Sequence, residues 1–381
     1  MRIGISCMPT VGGSGVLATE LGRMLARRGH EIHFVTRSMP HRLRLGREEG
    51  IFFHEVRALQ HSVFETPPYT LALATRLAEV YRHHKLDLFH VHYAIPHAAA
   101  AYLAREMLAP CRAPVITTLH GTDVTLVGQD PSYRDMVRFC LQKSDAVTAV
   151  SDWLKDQTEI VFSPGREVER IHNFADAEVF QPRRLRPDLP MLARPGQVVF
   201  THASNFRPVK RVNDAVRAFA HAVSRGVDGV LALAGEGPDL PGALELAHSL
   251  GVGDRLVLLG VVDEVDRVLA QSDIVLFPSD GESFGLVPLE ALLCEVPVIG
   301  ARAGGLPEVV TDGVHGYLLP VGDWQGMGEA CVRLANDPAL RRTMGLAGRE
   351  RSIRDFSPET IVDQYEALYE RCRVLRKGCP E

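Results

Sequence analysis

Residues 198–211 read VVFTHASNFRPVKR. The first six residues have the apolar, β-branched character of a buried strand, and the rest form a turn carrying Arg207, Lys210 and Arg211. Just before them, residues 181–197 (QPRRLRPDLPMLARPGQ) hold four prolines and four arginines with no periodicity, the signature of a linker. After the turn, apolar runs alternate with helical patterns: VLALAG (230–235), RLVLLG (255–260), IVLFPS (274–279) and VPVIGA (296–301). Such alternation predicts βαβ units and a parallel sheet covered by helices.

The same alternation precedes the linker. Predicted strands are RIGISC (2–7), EIHFVT (31–36), IFFHEV (51–56), LFHVHY (88–93), PVITTLH (114–120) and AVTAVS (146–151), with helices such as 18–29 and 71–84 between them. The expected fold class is therefore α/β, with two Rossmann-like, doubly wound domains facing a central cleft. Residues 1–180 form the first domain, 181–197 the linker and 198–356 the second. The amphipathic segment 357–375 is expected to pack back on the first domain. Ligands of such sheets bind outside the carboxyl ends of the strands.

Bulk properties narrow the function. A chain of 381 residues fits two domains. A net charge of −5 gives no ground for a nucleic-acid or acidic-membrane partner, and no apolar run reaches the ~18 residues of a membrane span. The seven cysteines are scattered with no C-x-x-C pair, so reduced thiols in a cytoplasmic protein are expected.

Three segments carry candidate chemistry. VGGSGVLATELG (11–22) puts Gly12, Gly13 and Gly15 between the first strand and a helix, where backbone N–H groups can face an anion. A tight turn without a ligand is the alternative, and Arg37 after the second strand keeps an NADP-dependent oxidoreductase open. GESFGLVPLE (281–290) spaces Glu282 and Glu290 by seven residues around a predicted turn at Ser283, Phe284 and Gly285. Carboxylates there can accept hydrogen bonds from sugar diols, or they can merely suit a helix N-terminus. The Arg207–Arg211 cluster can stabilise a departing diphosphate, or be a solvated turn. Only five lysines occur in the chain, and Lys210 is the one in this cluster.

Together VGGSG (11–15), TLHGTD (118–123), IHNFADAEVF (171–180), SNFRPVKR (204–211), GEGP (235–238) and ESFGLVPLEAL (282–292) resemble the retaining GT-B glycosyltransferases of family 4, in order and from end to end. CMPTVGGSGVLATELG (7–22), FHVHYAIPHAAAAYLA (89–104) and TTLHGTDVTLVGQDPS (117–132) are similar to the bacillithiol-pathway branch of that family. That branch joins N-acetylglucosamine from UDP-N-acetylglucosamine to the hydroxyl of L-malate. Two departures are mild: Pro278-Ser279-Asp280-Gly281 ahead of Glu282, and the Arg- and Pro-rich linker.

The resemblance implies roles. Glu290 binds the ribose and Glu282 the sugar hydroxyls, with the backbone of Ser283, Phe284 and Gly285 beside them. Lys210 binds the diphosphate, helped by Gly13. Asn205 stands where relatives carry a second phosphate-binding Arg, and Arg207 compensates. Gly235 and Gly237 line the nucleotide pocket, and the backbone near Val261 meets uracil. His120 contacts the donor sugar near the reacting centre; a purely structural histidine is the alternative. Ser14, Tyr93, Thr117, Thr118 and Arg138 receive the acceptor, although Arg138 could equally be a surface arginine. His90, His92 and His97 are not expected to bind a metal. No D-x-D triplet occurs, which fits metal-independent transfer. The expected catalytic group is His120, Lys210 and Glu282, with no cofactor and no nucleic-acid or membrane partner. A homodimer is the default assembly, on which the residue pattern is silent. Another small anionic acceptor for a UDP-sugar is the nearest alternative activity.

Overall fold

The computed structural model describes residues 1–9, 13–40, 43, 49–185, 189 and 191–379. Val11 and Gly12 of the Gly-rich turn, and residues 186–188 and 190 of the proline-rich stretch, lie outside the described residues. The chain divides into two compact units, Met1–Asn173 with Pro358–Glu381, and Phe174–Ser357.

The first unit is built on β1 (Arg2–Ser6), β2 (Glu31–Thr36), β3 (Ile51–Glu55), β4 (Leu88–His92), β5 (Val115–Leu119), β6 (Ala146–Ala149) and β7 (Val168–Arg170). All pair in parallel, in the order β3-β2-β1-β4-β5-β6-β7. Between them run α1 (Gly13–Arg27), α2 (Tyr69–His84), α3 (Ala99–Met107), the single turn α4 (Thr122–Thr125), α5 (Arg134–Lys143) and α6 (Asp152–Phe162). The strands are apolar on both faces because helices cover both faces; Ile3, Ile5, Phe34, Phe89 and Ile116 are fully buried. β7, three residues long at the sheet edge, escaped the sequence reading because so short a run has no measurable period.

The second unit repeats the plan with β8 (Val198–Ala203), β9 (Gly229–Ala234), β10 (Leu256–Gly260), β11 (Ile274–Phe277), β12 (Val298–Ala301) and β13 (Gly316–Leu319). They too are parallel, in the order β10-β9-β8-β11-β12-β13. Its helices are α7 (Val212–Ser224), α8 (Leu240–Ser249), α9 (Val265–Leu269), α10 (Leu286–Leu293), α11 (Leu306–Val309), α12 (Trp324–Asn336) and α13 (Pro338–Asp355). Phe200, Phe219, Leu231, Ile274, Ile299 and Leu334 make its core. The architecture is thus α/β, two Rossmann-like domains in one chain.

The last helix, α14 (Pro358–Arg373), belongs to the first unit. Tyr369 and Tyr365 are buried there, with the Tyr369 hydroxyl 2.7 Å from His90 Nδ1, and Arg28 pairs with Asp363 and Glu366. One expectation is overturned in this region. Cys111 and Cys379 form a disulfide across 268 residues of sequence, and the other five cysteines are buried. Spacing along the chain cannot reveal a pair that only the return of the C-terminal segment brings together.

Among the described residues, no helix is long and apolar enough to cross a membrane.

Candidate active site

Each sheet has one place where its strand order reverses, and a crevice opens there between loops that diverge. In the second unit this place lies between β8 and β11, which are neighbours in the sheet. The loop leaving β8 carries Lys210 on a single 3-10 turn, Pro208–Lys210. The loop leaving β11 carries Glu282. Lys210 Nζ donates to Glu282 Oε2 at 2.5 Å, and the Asp280 N–H donates to the Val209 carbonyl at 2.8 Å, so the loops are joined twice. Lys210 also lies over the Phe277 ring, 5.6 Å from its centroid. Charge, aromatic face and partial burial combine to hold this ammonium in one place.

Backbone geometry supports the pair from behind. Gly304 has φ 59°, and a Cβ there would stand 1.9 Å from the Glu282 carbonyl oxygen. The Gly305 N–H donates to the same oxygen at 2.7 Å. This RAGG segment (302–305) is a backbone support for Glu282 that sequence reasoning missed; its paired glycines were the available signal. Gly285, at φ 102°, precedes α10 and turns the chain into that helix. Glu290 is buried on α10. Phe284 is buried as well, edge-on to Phe356 at 5.6 Å.

The glycines after β9 also have a physical reason. A Cβ at Gly235 (φ 127°) would meet the Ser204 carbonyl oxygen at 1.8 Å, and one at Gly237 would meet the Asn205 oxygen at 2.1 Å. They let the β9 loop lie directly against the 204–206 turn. His202 anchors that turn from below, bonded to the Leu276 carbonyl and the Ser204 hydroxyl, each at 2.9 Å. Asn205, Arg207 and Val261 are exposed. Arg211 is committed elsewhere: it pairs with buried Asp214 at 2.6 Å and so does not join Lys210.

In the first unit the order reverses between β1 and β4. There the Tyr93 hydroxyl, just past β4, donates to Ser14 Oγ in the first turn of α1 at 2.7 Å. Tyr93 has φ 79°, a conformation that disfavours side chains, and its N–H donates to the Thr118 carbonyl at 2.9 Å. Gly13 opens α1 beside this pair.

His120, at the end of β5, sits 2.8 Å from His92 Nδ1, and burial pushes its pKa down to about 3. It is therefore a neutral imidazole at ordinary pH, able to donate or accept one hydrogen bond but not to act as a cation. Asp123 was not singled out by the sequence reading. It is buried and accepts from Gly121 at 3.0 Å and from His120 and Ala94 at 3.3 Å. Burial pushes its carboxyl up to about 6 against those three bonds. It fixes the His120 turn to the chain after β4, and its signal was its place in the HGTD turn.

Three expected acceptor residues have other duties. The Thr117 hydroxyl meets Ser144 at 2.8 Å inside the sheet. The Thr118 hydroxyl meets Thr148 at 2.7 Å and His90 at 2.8 Å. Both threonines are fully buried, so Thr118 serves the site through its carbonyl, which holds Tyr93. Arg138 donates from Nε to the Phe162 carbonyl at 2.8 Å, closing the C-terminus of α6. The sequence could not show this, because periodicity gives the face of a helix but not the neighbour it meets.

The profile of Glycosyltransferase Family 4 matches residues 11–179, and that of Glycosyl transferases group 1 matches residues 191–351. Over 374 residues the chain is 47% identical to the N-acetyl-alpha-D-glucosaminyl L-malate synthase of Bacillus anthracis, covering 97% of this chain and 96% of that one. The chain belongs to glycosyltransferase family 4. The NADP-dependent oxidoreductase is thereby set aside. A more distant member, the D-inositol 3-phosphate glycosyltransferase of Saccharomonospora viridis, is 28% identical over 96% of this chain and 91% of its own. Solved GT-B glycosyltransferases share the fold of this family 4 chain. Sucrose-phosphate synthase from Thermosynechococcus elongatus superposes with a TM-score of 0.80 at 22% identity, over 98% of this chain and 100% of that one. Anabaena HepE in complex with UDP-glucose gives 0.80 at 20% identity, over 97% and 100%.

Proposed function

We propose that this glycosyltransferase moves N-acetylglucosamine from UDP-N-acetylglucosamine to the hydroxyl of L-malate, with retention and without a metal ion, as the first step of bacillithiol biosynthesis. The near-full-length likeness to the Bacillus anthracis synthase is the observation that carries this reading.

In the second unit Lys210 binds the diphosphate, and Glu282 exchanges part of its contact with Lys210 for the sugar hydroxyls. Glu290 takes the ribose diol. The backbone of Ser283, Phe284 and Gly285 adds N–H donors, Gly235 and Gly237 admit the nucleotide, and the chain near Val261 faces uracil. Asn205 and Arg207 flank the phosphates. In the first unit Ser14 and Tyr93 receive the acceptor, Gly13 offers a helix N-terminus to an anion, and His120 holds the sugar as a neutral hydrogen-bonding group.

The transfer forms a bond from the malate oxygen to the anomeric carbon and breaks the bond from that carbon to the phosphate, on one face. The departing phosphate takes the hydroxyl proton, so no protein base is needed. Catalysis is then positioning and charge stabilisation, with Lys210 supplying the charge that a metal supplies elsewhere. Glu282, held by Lys210, is a poor covalent nucleophile. The reading also takes the enzyme to be cytoplasmic and homodimeric.

The test is proton NMR of the product formed from UDP-N-acetylglucosamine and L-malate in excess EDTA. An α-linked product at an undiminished rate supports retention without metal. A β-linked product, or a rate restored only by Mg²⁺ or Mn²⁺, refutes it.

A further inference from the structure

On the β2–β3 side of the sheet, the first unit gathers three histidines from three elements. His33 lies on β2, His54 on β3 and His84 in the last turn of α2. Parallel register sets His33 opposite Phe52 and Val35 opposite His54, which puts His33 and His54 on one face of the sheet. The C-terminus of α2 delivers His84 to that face. One nitrogen from each ring lies within 4.8 Å of the other two. His33 is buried, and its partners are half-buried.

We propose that His33, His54 and His84 form a zinc(II) site, with imidazole nitrogen ligands and water in the fourth position. Four observations on the page point to it. His33 Nδ1 and His54 Nε2 face each other at 2.9 Å, two ring nitrogens that share one proton. Metal binding displaces that proton from His54 Nε2, and it returns through solvent to His54 Nδ1, so both ligands stay neutral imidazoles. The His33 Nε2 on the other side of the ring meets Glu31 Oε1 at 2.8 Å. A carboxylate accepting the far N–H fixes the tautomer that presents Nδ1 to a metal. Third, His84 ends a helix of 16 residues, whose carboxyl-terminal dipole favours a cation. Finally, Phe52 stacks on His33 at 4.9 Å and braces the ring that carries Nδ1.

Tetrahedral zinc with Zn–N of about 2.0–2.1 Å needs nitrogens about 3.3 Å apart. The His33 Nδ1–His54 Nε2 separation of 2.9 Å and the 4.8 Å within which all three nitrogens lie bracket that value. Neighbouring cations are already paired: Arg76 with Glu79 at 3.1 Å, and Arg2 with Glu31 at 3.8 Å. Imidazole sites of this kind suit zinc(II), copper(II) or nickel(II) rather than magnesium or calcium. The site ties β2, β3 and α2 together and has no part in sugar transfer, so chelation leaves turnover unchanged and lowers thermal stability.

The experiment uses the full chain stripped with EDTA and titrated with Zn²⁺ against a chromophoric chelator. One Zn²⁺ per chain is expected, with a rise in Tm. His84→Ala, a half-exposed position outside the transfer machinery, weakens binding at least about a hundredfold, whereas Glu31→Gln weakens it about 10–100-fold. Both keep wild-type turnover. Co²⁺ in place of Zn²⁺ gives four-coordinate visible bands without thiolate charge transfer, which separates this site from the buried cysteines. Absence of Zn²⁺ binding, equal binding by His84→Ala, or a thiolate band would overturn the proposal.

Discussion

Lys210 Nζ and Glu282 Oε2 meet at 2.5 Å across the two loops that leave β8 and β11. The pair marks the reversal of strand order in the second unit, as the Tyr93–Ser14 hydrogen bond marks it in the first. Each sheet thus places a polar contact where parallel sheets bind ligands. A side chain already held by its partner loses little freedom when substrate arrives, which is how positioning contributes to rate.

Lys210→Ala removes the fixed cation proposed for the leaving diphosphate. Turnover should fall about a hundredfold, corresponding to about 3 kcal/mol of transition-state stabilisation, while the melting temperature stays near wild type. Steady-state kinetics beside a thermal melt decides it. A folded variant with normal turnover would shift the phosphate role to Arg207.

Gly304→Ala tests the support behind Glu282. The new Cβ would stand 1.9 Å from the Glu282 carbonyl at a backbone angle that suits glycine. The loop must move, and with it the carboxylate. Turnover on the donor should drop at least about tenfold, with strain of roughly 1–3 kcal/mol in stability. Unchanged kinetics would show that Glu282 is not held from this side.

Tyr93→Phe keeps the ring and deletes the O–H that meets Ser14. The acceptor KM should rise while the donor KM and the melting temperature barely change. A variant whose acceptor KM matches wild type removes Tyr93 from the acceptor pocket. Arg138→Lys, by contrast, is expected to act on stability, by about 1 kcal/mol, because its Nε closes α6.

The buried histidines predict acid sensitivity. Burial lowers His90 to about 3, His97 to about 4 and His92 well below its usual value. Unfolded imidazoles bind protons near pH 6.5, so the stabilisation is complete above that pH and is lost as pH falls toward 4. Asp123, raised to about 6, works in the opposite direction and offsets one imidazole between about pH 6 and 4. His120 and His202, lowered to about 3 and about 4, add to the same side, so the imidazoles outnumber the one carboxyl and stability falls with pH. Thermal melts between pH 7 and 5 should fall steeply; a flat profile would mean that these rings find protonated partners.

Both strand series were legible in the sequence because each central strand is apolar on both faces. EIHFVT (31–36) and VVFTHA (198–203) carry the boundaries that the structure shows. The edge strands β7 and β13 were not: VER (168–170) is too short to show a period, and GYLL (316–319) opens on a glycine. Lys210 and Glu282 were legible through a rare lysine and a motif at a strand end. Asp123 and Gly304 were not, because one acts through backbone N–H groups and the other by lacking a Cβ. The burial of the Thr117 and Thr118 hydroxyls was not legible either: sequence marks a strand end, but only packing decides which way a hydroxyl turns.

The acceptor remains the sharpest question, and UDP release measures it directly. The chain is incubated with UDP-N-acetylglucosamine in EDTA and offered L-malate, lactate or glycerate in turn. An acceptor site that pairs both carboxylates of L-malate leaves donors unpaired when one is missing, a mismatch worth about 10⁴-fold in well-built sites. The account predicts rapid UDP release with L-malate and release slower by about that factor with lactate and glycerate. Equal rates with lactate, or no malate-dependent release, would contradict it.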